Sequence, residues 1–190
     1  MLYIVGLGPG SKALMTQEAI DVIKNTHTIV GYVTYIHLVE DMLKGKKLVV
    51  TGMRGEIERS KKAIEIALTG EDVAIISSGD AVIYGMAGLV LELAAKEDVH
   101  FDVKVVPGVT ASIGAAAALG APLMNDFCHI SLSDLMTPWD VIKERVDAAA
   151  KADFVICLYN PRSKGRPNNL REALDIMLKY KDENTVVGIG

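Results

Sequence analysis

Residues 2–11 read LYIVGLGPGS, an apolar run that breaks into three glycines and a proline within residues 6–10. A strand that is apolar on both faces and ends in a glycine turn belongs in a sheet covered by helices on both sides. The amphipathic stretch TQEAIDVIKN (16–25) supplies the first of those helices. Working outward, short runs rich in Val and Ile recur at HTIVG (27–31), KLVVT (47–51), DVAIIS (72–77) and DVKVVPG (102–108), with helical stretches such as SKKAIEIALTG (60–70) between them. Alternation of this kind predicts an α/β fold whose first domain is a mainly parallel five-stranded sheet.

Pro107 and Gly108 end the fifth run and mark a boundary between residues 1–107 and 108–190. Beyond it come a small-residue helix, IGAAAALGA (113–121), strand-like FCHISLS (127–133), helical PWDVIKERVDAAAK (138–151), strand-like DFVICLYN (153–160) and helical NNLREALDIMLKY (168–180). TVVGIG (185–190) reads as the start of a further strand. The second half is therefore expected to be an α/β domain on a mixed sheet that continues past residue 190.

The chain has 190 residues, 50% of them hydrophobic and 23% charged, enough for a substantial core. A net charge of −4 argues against a protein that coats nucleic acid. Cys128 and Cys157 lie apart in apolar runs with no second pair for a metal cage, so no metal site is expected and a reduced, cytoplasmic setting fits. No run has the length of a membrane span.

The glycine turn fails both phosphate signatures. A dinucleotide fold wants G-x-G-x-x-G with an acidic residue about 20 positions on. Here Gly6, Gly8 and Gly10 flank Pro9, and the second strand ends in Gly31 and Tyr32. A P-loop wants Gly-Lys-Ser/Thr, whereas Lys12 follows Ser11 and precedes Ala13. Pro9 also lacks the N–H that a phosphate would use. A close-approach surface and a plain strand-to-helix turn remain equal readings.

Two further stretches carry polar groups at strand ends. In AIISSGDAVIYGMAGLVLEL (74–93), Asp80 sits where open α/β sheets bind ligands, and either holds hydroxyls or an ammonium there or caps the next helix. In VVPGVTAS (105–112), Thr110 and Ser112 stand at a helix start, where capping explains them adequately.

GLGPG, the strand-end GD and VVPGVTAS, in this order, resemble the tetrapyrrole methylase family, which transfers methyl groups from S-adenosylmethionine. VGYVTYIHLV (30–39), GMRGEIERSKKAIEIA (52–67), SSGDAVIYGMAGLVLEL (77–93), GAPLMNDFCHISLSDLMTPWDVIKERV (120–146) and CLYNPRSKGRP (157–167) are similar to its precorrin-3B (cobalt-precorrin-3) C-17 methyltransferase branch, the ring-contracting enzymes of cobalamin biosynthesis. The resemblance spans the whole chain. It implies two domains with a large cleft between them, and a donor touching Pro9, Ser78, Gly79, Asp80, Ile83, Thr110, Ala111 and Tyr159. It implies a tetrapyrrole substrate near Gly8 and Gly10, a homodimer, and a last donor contact beyond Gly190. Relatives acting on uroporphyrinogen often carry Asp and Lys where this chain has Tyr32 and Met53, which argues against that substrate, and Ala81 replaces a frequent proline.

Methyl transfer from a sulfonium needs positioning and exclusion of water rather than a metal or nucleophile. Ring contraction also needs proton movement, for which Tyr32, His129 and Asp134 are the polar candidates. His129 reads more readily as a hydrogen-bonded strand residue than as a proton carrier, and Asp134 reads also as a turn cap. A substrate with many carboxylates wants cations: Arg54, Arg59, Arg162, Lys164 and Arg166, each readable also as a solvated charge. Rival functions are methylation of another acceptor, or binding of a metabolite by an α/β module without turnover.

Overall fold

Ile75 is completely buried, with Ile4 beside it on one strand and Val30 on the other, and the helices fold around this centre. The computed structural model describes residues 1–96 and 101–190. Contacts divide the chain into two compact units, Met1–Gly114 and Ala115–Gly190.

The first unit is a five-stranded sheet of β1 (Leu2–Gly6), β2 (Thr28–Tyr32), β3 (Lys47–Thr51), β4 (Val73–Ser77) and β5 (Val103–Val106), in the order β3-β2-β4-β1-β5. Every pairing is parallel, with Ile4 opposite both Ile75 and Val105. Helices α1 (Gln17–Asn25), α2 (Val33–Leu38), α3 (Glu56–Leu68) and α4 (Ala87–Ala94) make the connections. Successive strand residues point to opposite faces. Leu2, Ile4, Val30, Val73 and Ile75 pack against Ala63, Ile64 and Ala67 of α3 and Ala87 and Val90 of α4. Val5, Leu7, Ile29, Ala74 and Ile76 pack against Ala19 and Ile23 of α1 and Ile36 of α2. Two-sided burial is why these strands read as unbroken apolar runs.

The Pro107–Gly108 segment stays with the first unit. Thr16 caps α1 by accepting from the Ala19 N–H, and its hydroxyl donates to the Pro107 carbonyl at 3.1 Å. The start of α5 (Ala111–Ala118) belongs with it too, since a side chain at Gly114 would come within 2.9 Å of Pro9 Cγ.

In the second unit β6 (Phe127–Ser131) pairs with β7 (Val155–Tyr159), and α6 (Trp139–Lys151) crosses between them. A core of Ile130, Leu132, Ile142, Val146 and Ala173 joins the pair to α6 and α7 (Asn169–Met177). Trp139 anchors the start of α6, its indole N–H donating to Glu172 at 2.8 Å. The sheet expected to be mixed is, among the described residues, two parallel strands, because a helical crossover returns the second strand in the direction of the first. TVVGIG forms no strand: Val186 and Ile189 are 93% exposed and pair with no neighbour among the described residues, and an apolar run without a ladder partner is not a strand.

Gly6 has no room for a side chain. A Cβ there would lie 2.7 Å from the Gly79 carbonyl oxygen, 2.8 Å from the Ala81 nitrogen and 2.9 Å from the Gly108 nitrogen, all backbone. Gly6→Ala should destabilise the protein by at least about 2 kcal/mol in urea unfolding. Gly52→Ala, where the added methyl meets nothing within 4 Å, should stay within about 0.5 kcal/mol of the parent.

Candidate functional site

The strand order creates a switch point between β1 and β4. The chain leaving β1 travels past β4 to reach β2, whereas the chain leaving β4 travels past β1 to reach β5. Their loops depart to opposite faces, and open α/β sheets bind ligands at such a crevice beyond the carboxyl ends of the strands.

Here the two loops are tied together. The Leu7 N–H donates to the Ser77 carbonyl at 2.8 Å, Gly8 donates to Gly79 at 3.0 Å, and Gly79 donates back to Gly8 at 2.8 Å. Gly8 and Gly79 sit at φ +80° and +67°, left-handed conformations that cost glycine little. Nothing lies within 4 Å of the Cβ position of Gly79 or of Gly10, so space is open beside both.

Asp80 completes the clasp. One carboxylate oxygen accepts from the Val82 and Ile83 N–H groups, both at 2.8 Å, and the other from Gly108 at 3.0 Å. The residue is only 8% exposed. Burial opposes its ionisation, but the backbone donors of Ile83, Gly108, Val82 and Ala81 outweigh that cost and hold its pKa below the ordinary carboxylate value. Asp80 thus turns the loop after β4 and binds it to the loop after β5. The Ser77 hydroxyl is buried with no hydrogen-bond partner among the described residues.

Gly8, Pro9, Gly79, Asp80 and Thr110 therefore meet at this edge, with Ser78 half-buried and Ala111 exposed at the start of α5. Ile83 and Val82 stay exposed, giving an apolar rim. The N–H groups of Leu7, Gly8, Gly79, Val82, Ile83 and Gly108 are spent on these loops, and the edge holds one buried negative charge. It suits a neutral or cationic ligand better than a phosphate, which would meet a fixed carboxylate and a proline with no N–H. A hollow of about 370 Å³, lined by Tyr3, Asp21, Thr26, Asp72 and Lys104, opens at the opposite, amino-terminal edge, where Lys104 is paired with Glu18.

Further along the carboxyl edge Tyr32 ends β2, its ring edge-on to Tyr35 at 5.2 Å and 5.8 Å from the Arg59 guanidinium carbon. Arg59 is neither a solvated charge nor an open fork. It is 3% exposed and donates to the Thr51 hydroxyl at 2.5 Å, the Gly52 carbonyl at 3.3 Å and Glu56 at 3.2 Å. Its donors are committed to the loop after β3, which argues against direct substrate contact. Arg54, on that loop, is exposed and sits at φ +65°.

In the second unit His129 packs edge-on between Phe127, at 5.5 Å, and Tyr159, at 5.3 Å, on the sheet face turned away from the core. Asp134 is exposed in the loop after β6, and Arg162 and Lys164 are exposed near the turn that leads to Arg166. Cys128 and Cys157 are free thiols, both raised in pKa chiefly by burial.

Sequence reasoning missed Gly6 and Gly108, whose close approach knits β1, β4 and β5. It also missed Thr16, Ser131, Ser133 and Asn160. The signal for Arg59 was available: it stands four and eight residues before Ala63 and Ala67, on the buried stripe of α3.

Residues 1–190 match the family model described as Tetrapyrrole (Corrin/Porphyrin) Methylases. The chain is 57% identical over its whole length to the probable cobalt-factor III C(17)-methyltransferase of Salmonella typhimurium, of which it spans 78%. The crystal structure of the methyltransferase CobJ superposes with a TM-score of 0.89 at 38% identity, over 95% of this chain and 76% of that one. A uroporphyrin-III C-methyltransferase of Thermus thermophilus, solved with S-adenyl homocysteine, superposes with a TM-score of 0.53 at 26% identity, over 68% of this chain and 58% of that one.

Because the folded-state pKa of Asp80 is depressed, its contribution is present above the unfolded value near 3.8 and lost as pH falls through the folded one. Asp80→Asn should therefore cost about 1–3 kcal/mol in urea unfolding at pH 7. The gap from the parent should close as the pH drops through that range; a gap that does not change with pH would count against a charge-assisted clasp.

Proposed function

Starting from the fact that the chain belongs to the tetrapyrrole (corrin/porphyrin) methylases, we propose that it transfers a methyl group from S-adenosylmethionine to C-17 of cobalt-factor III, or of its metal-free counterpart precorrin-3B. Ring contraction accompanies the transfer, as a step of cobalamin biosynthesis. Cobalt, where present, belongs to the substrate. The observation that carries this reading is the clasped edge around a buried Asp80 carboxylate. A sulfonium ligand is a cation, and a fixed negative charge nearby favours it. The open space beside Gly10 and Gly79 fits a ligand that approaches backbone closely.

In this reading Pro9, Ser78, Gly79, Ile83, Thr110 and Ala111 hold the donor, and Asp80 holds the loop that they stand on. Tyr159, at the end of β7, takes the further donor contact that the family resemblance implies. Gly8 and Gly10 line the floor for substrate, and exposed Arg54 meets one of its carboxylates. When bound, the donor supplies an already activated methyl group, so the chain's contribution is placement and exclusion of water. The exposed apolar rim of Val82 and Ile83 serves that exclusion.

For the proton shift of ring contraction the best-held group is Tyr32. Arg59 lies near one side of its ring and Tyr35 meets it edge-on, fixing the phenol at the strand end. His129, gripped by two rings, is a second candidate, and exposed Asp134 has the weakest support. A cytoplasmic homodimer agrees with the family resemblance and is part of the same proposal. No helix of the described residues is long and apolar enough to cross a membrane.

Incubation with cobalt-factor III and methyl-labelled donor should yield one labelled methyl at C-17, read by mass spectrometry and carbon NMR. Tyr32→Phe should lower kcat by about 100-fold with donor affinity unchanged. Labelling at a different carbon would reassign the acceptor, and an unaltered Tyr32→Phe rate would remove the phenol from the proton step.

A further inference from the structure

The turn after β7 carries three cations, Arg162, Lys164 and Arg166, and the fold treats them differently. The Arg166 N–H donates to the Ser163 carbonyl at 3.2 Å, closing a tight turn that leaves Lys164 on its exposed side and brings Arg166 back toward the end of β6. There Arg166 Nη1 donates to the Ser133 hydroxyl at 3.0 Å, while its Nε is buried and has no partner among the described residues. Every other described lysine or arginine of this unit is exposed or ion-paired, as Lys143 is with Asp140 and Lys181 with Asp153. Arg166 alone among them is a sheltered cation with no carboxylate beside it.

Its neighbours are donors as well. The Ser131 hydroxyl oxygen accepts from Asn160 Nδ2 at 3.0 Å and from the Ser133 N–H at 3.2 Å. A hydroxyl has two lone pairs and one proton, so with both acceptor sites filled Ser131 is left to donate. Ser133, already accepting from Arg166, also has its proton to offer. The arrangement is rigid: Asn160 adopts φ +51°, and Asn169 at the start of α7 donates to the Leu132 carbonyl at 3.0 Å. A sheltered cation whose Nε has no partner among the described residues, beside two hydroxyls that still have a proton to donate, calls for an anion.

We propose that Arg166, with the hydroxyls of Ser131 and Ser133, forms a seat for one side-chain carboxylate of the tetrapyrrole, an assignment that rests on the substrate reading above. A planar carboxylate matches the guanidinium fork, and the two hydroxyls donate to its remaining lone pairs. Leu135 and Met136, 81% and 88% exposed in the loop that follows Ser133, offer apolar contact to the carbon frame bearing that carboxylate. Arg162 and Lys164, exposed and without an ion-pair partner among the described residues, add little.

The test is an absorbance titration of cobalt-factor III, and separately of its methyl ester, into the full chain with S-adenosylhomocysteine present. Arg166→Gln should weaken binding of the acid by about 30-fold or more. Lys151→Gln, at an exposed cation that ends α6, should change it by less than about 2-fold. The ester, lacking carboxylates, should bind both variants alike, and calorimetric affinity for S-adenosylhomocysteine should be unmoved. Arg166→Lys, which keeps the charge without the fork, should lose about 5- to 10-fold and serves if the glutamine variant does not fold. If either Arg166 variant binds donor product normally and holds the acid as tightly as Lys151→Gln, the seat is wrong and the substrate reading stands. If the parent chain binds S-adenosylhomocysteine but not the macrocycle, the substrate reading falls and the seat with it.

Discussion

The mutual hydrogen bonds between Gly8 and Gly79 are the constraint on which the first unit's binding edge depends. At a switch point the loops after two adjacent strands naturally part. Pulling them together requires left-handed backbone at both glycines, a side-chain-free Gly6 beneath them, and a carboxylate to close the turn. Each of these conditions narrows what the edge can bind. The N–H groups of Gly8, Gly79 and Gly108 are already bonded, Pro9 has none to give, and the charge buried between these loops is negative.

Asp80 shows how structural and functional roles converge on one group. Three of the roughly four acceptor positions of its carboxylate are taken by backbone N–H groups, so it acts chiefly by fixing the loop and by the field that it sets. Those same bonds keep it ionised despite burial. The loop after β6 in the second unit solves the converse problem. There hydroxyls and an arginine gather donors without acceptors, and the resulting site favours an anion. A methyl donor that is a cation and an acceptor that is a polycarboxylate match these opposite preferences.

The central strands β1, β2 and β4 were legible because parallel strands buried on both faces must be apolar throughout, and the edge strands β3 and β5, half exposed, still fall on Val-rich runs read from sequence. The absence of a phosphate signature in GLGPG was legible for the same elementary reason, Pro9. What could not be read was anything fixed by approach across the sheet. Gly6 and Gly108 look like ordinary strand-end glycines until β4's loop is laid between them. Arg59 looked like one loop cation among several, although its spacing to Ala63 placed it on a buried helix stripe. TVVGIG has the composition of a strand but no ladder among the described residues, and composition alone supplies no partner.

The most direct measurement is a map of backbone amide shifts on titration with S-adenosylhomocysteine, and in parallel with ADP, which shares the adenosine but carries phosphates. The account predicts that the former shifts Gly10, Ser78, Gly79, Thr110 and Ala111 saturably and that the latter leaves them unmoved. Equal shifts at these amides with ADP would contradict an edge whose buried carboxylate disfavours phosphate, and shifts by S-adenosylhomocysteine confined to residues elsewhere would contradict the site itself.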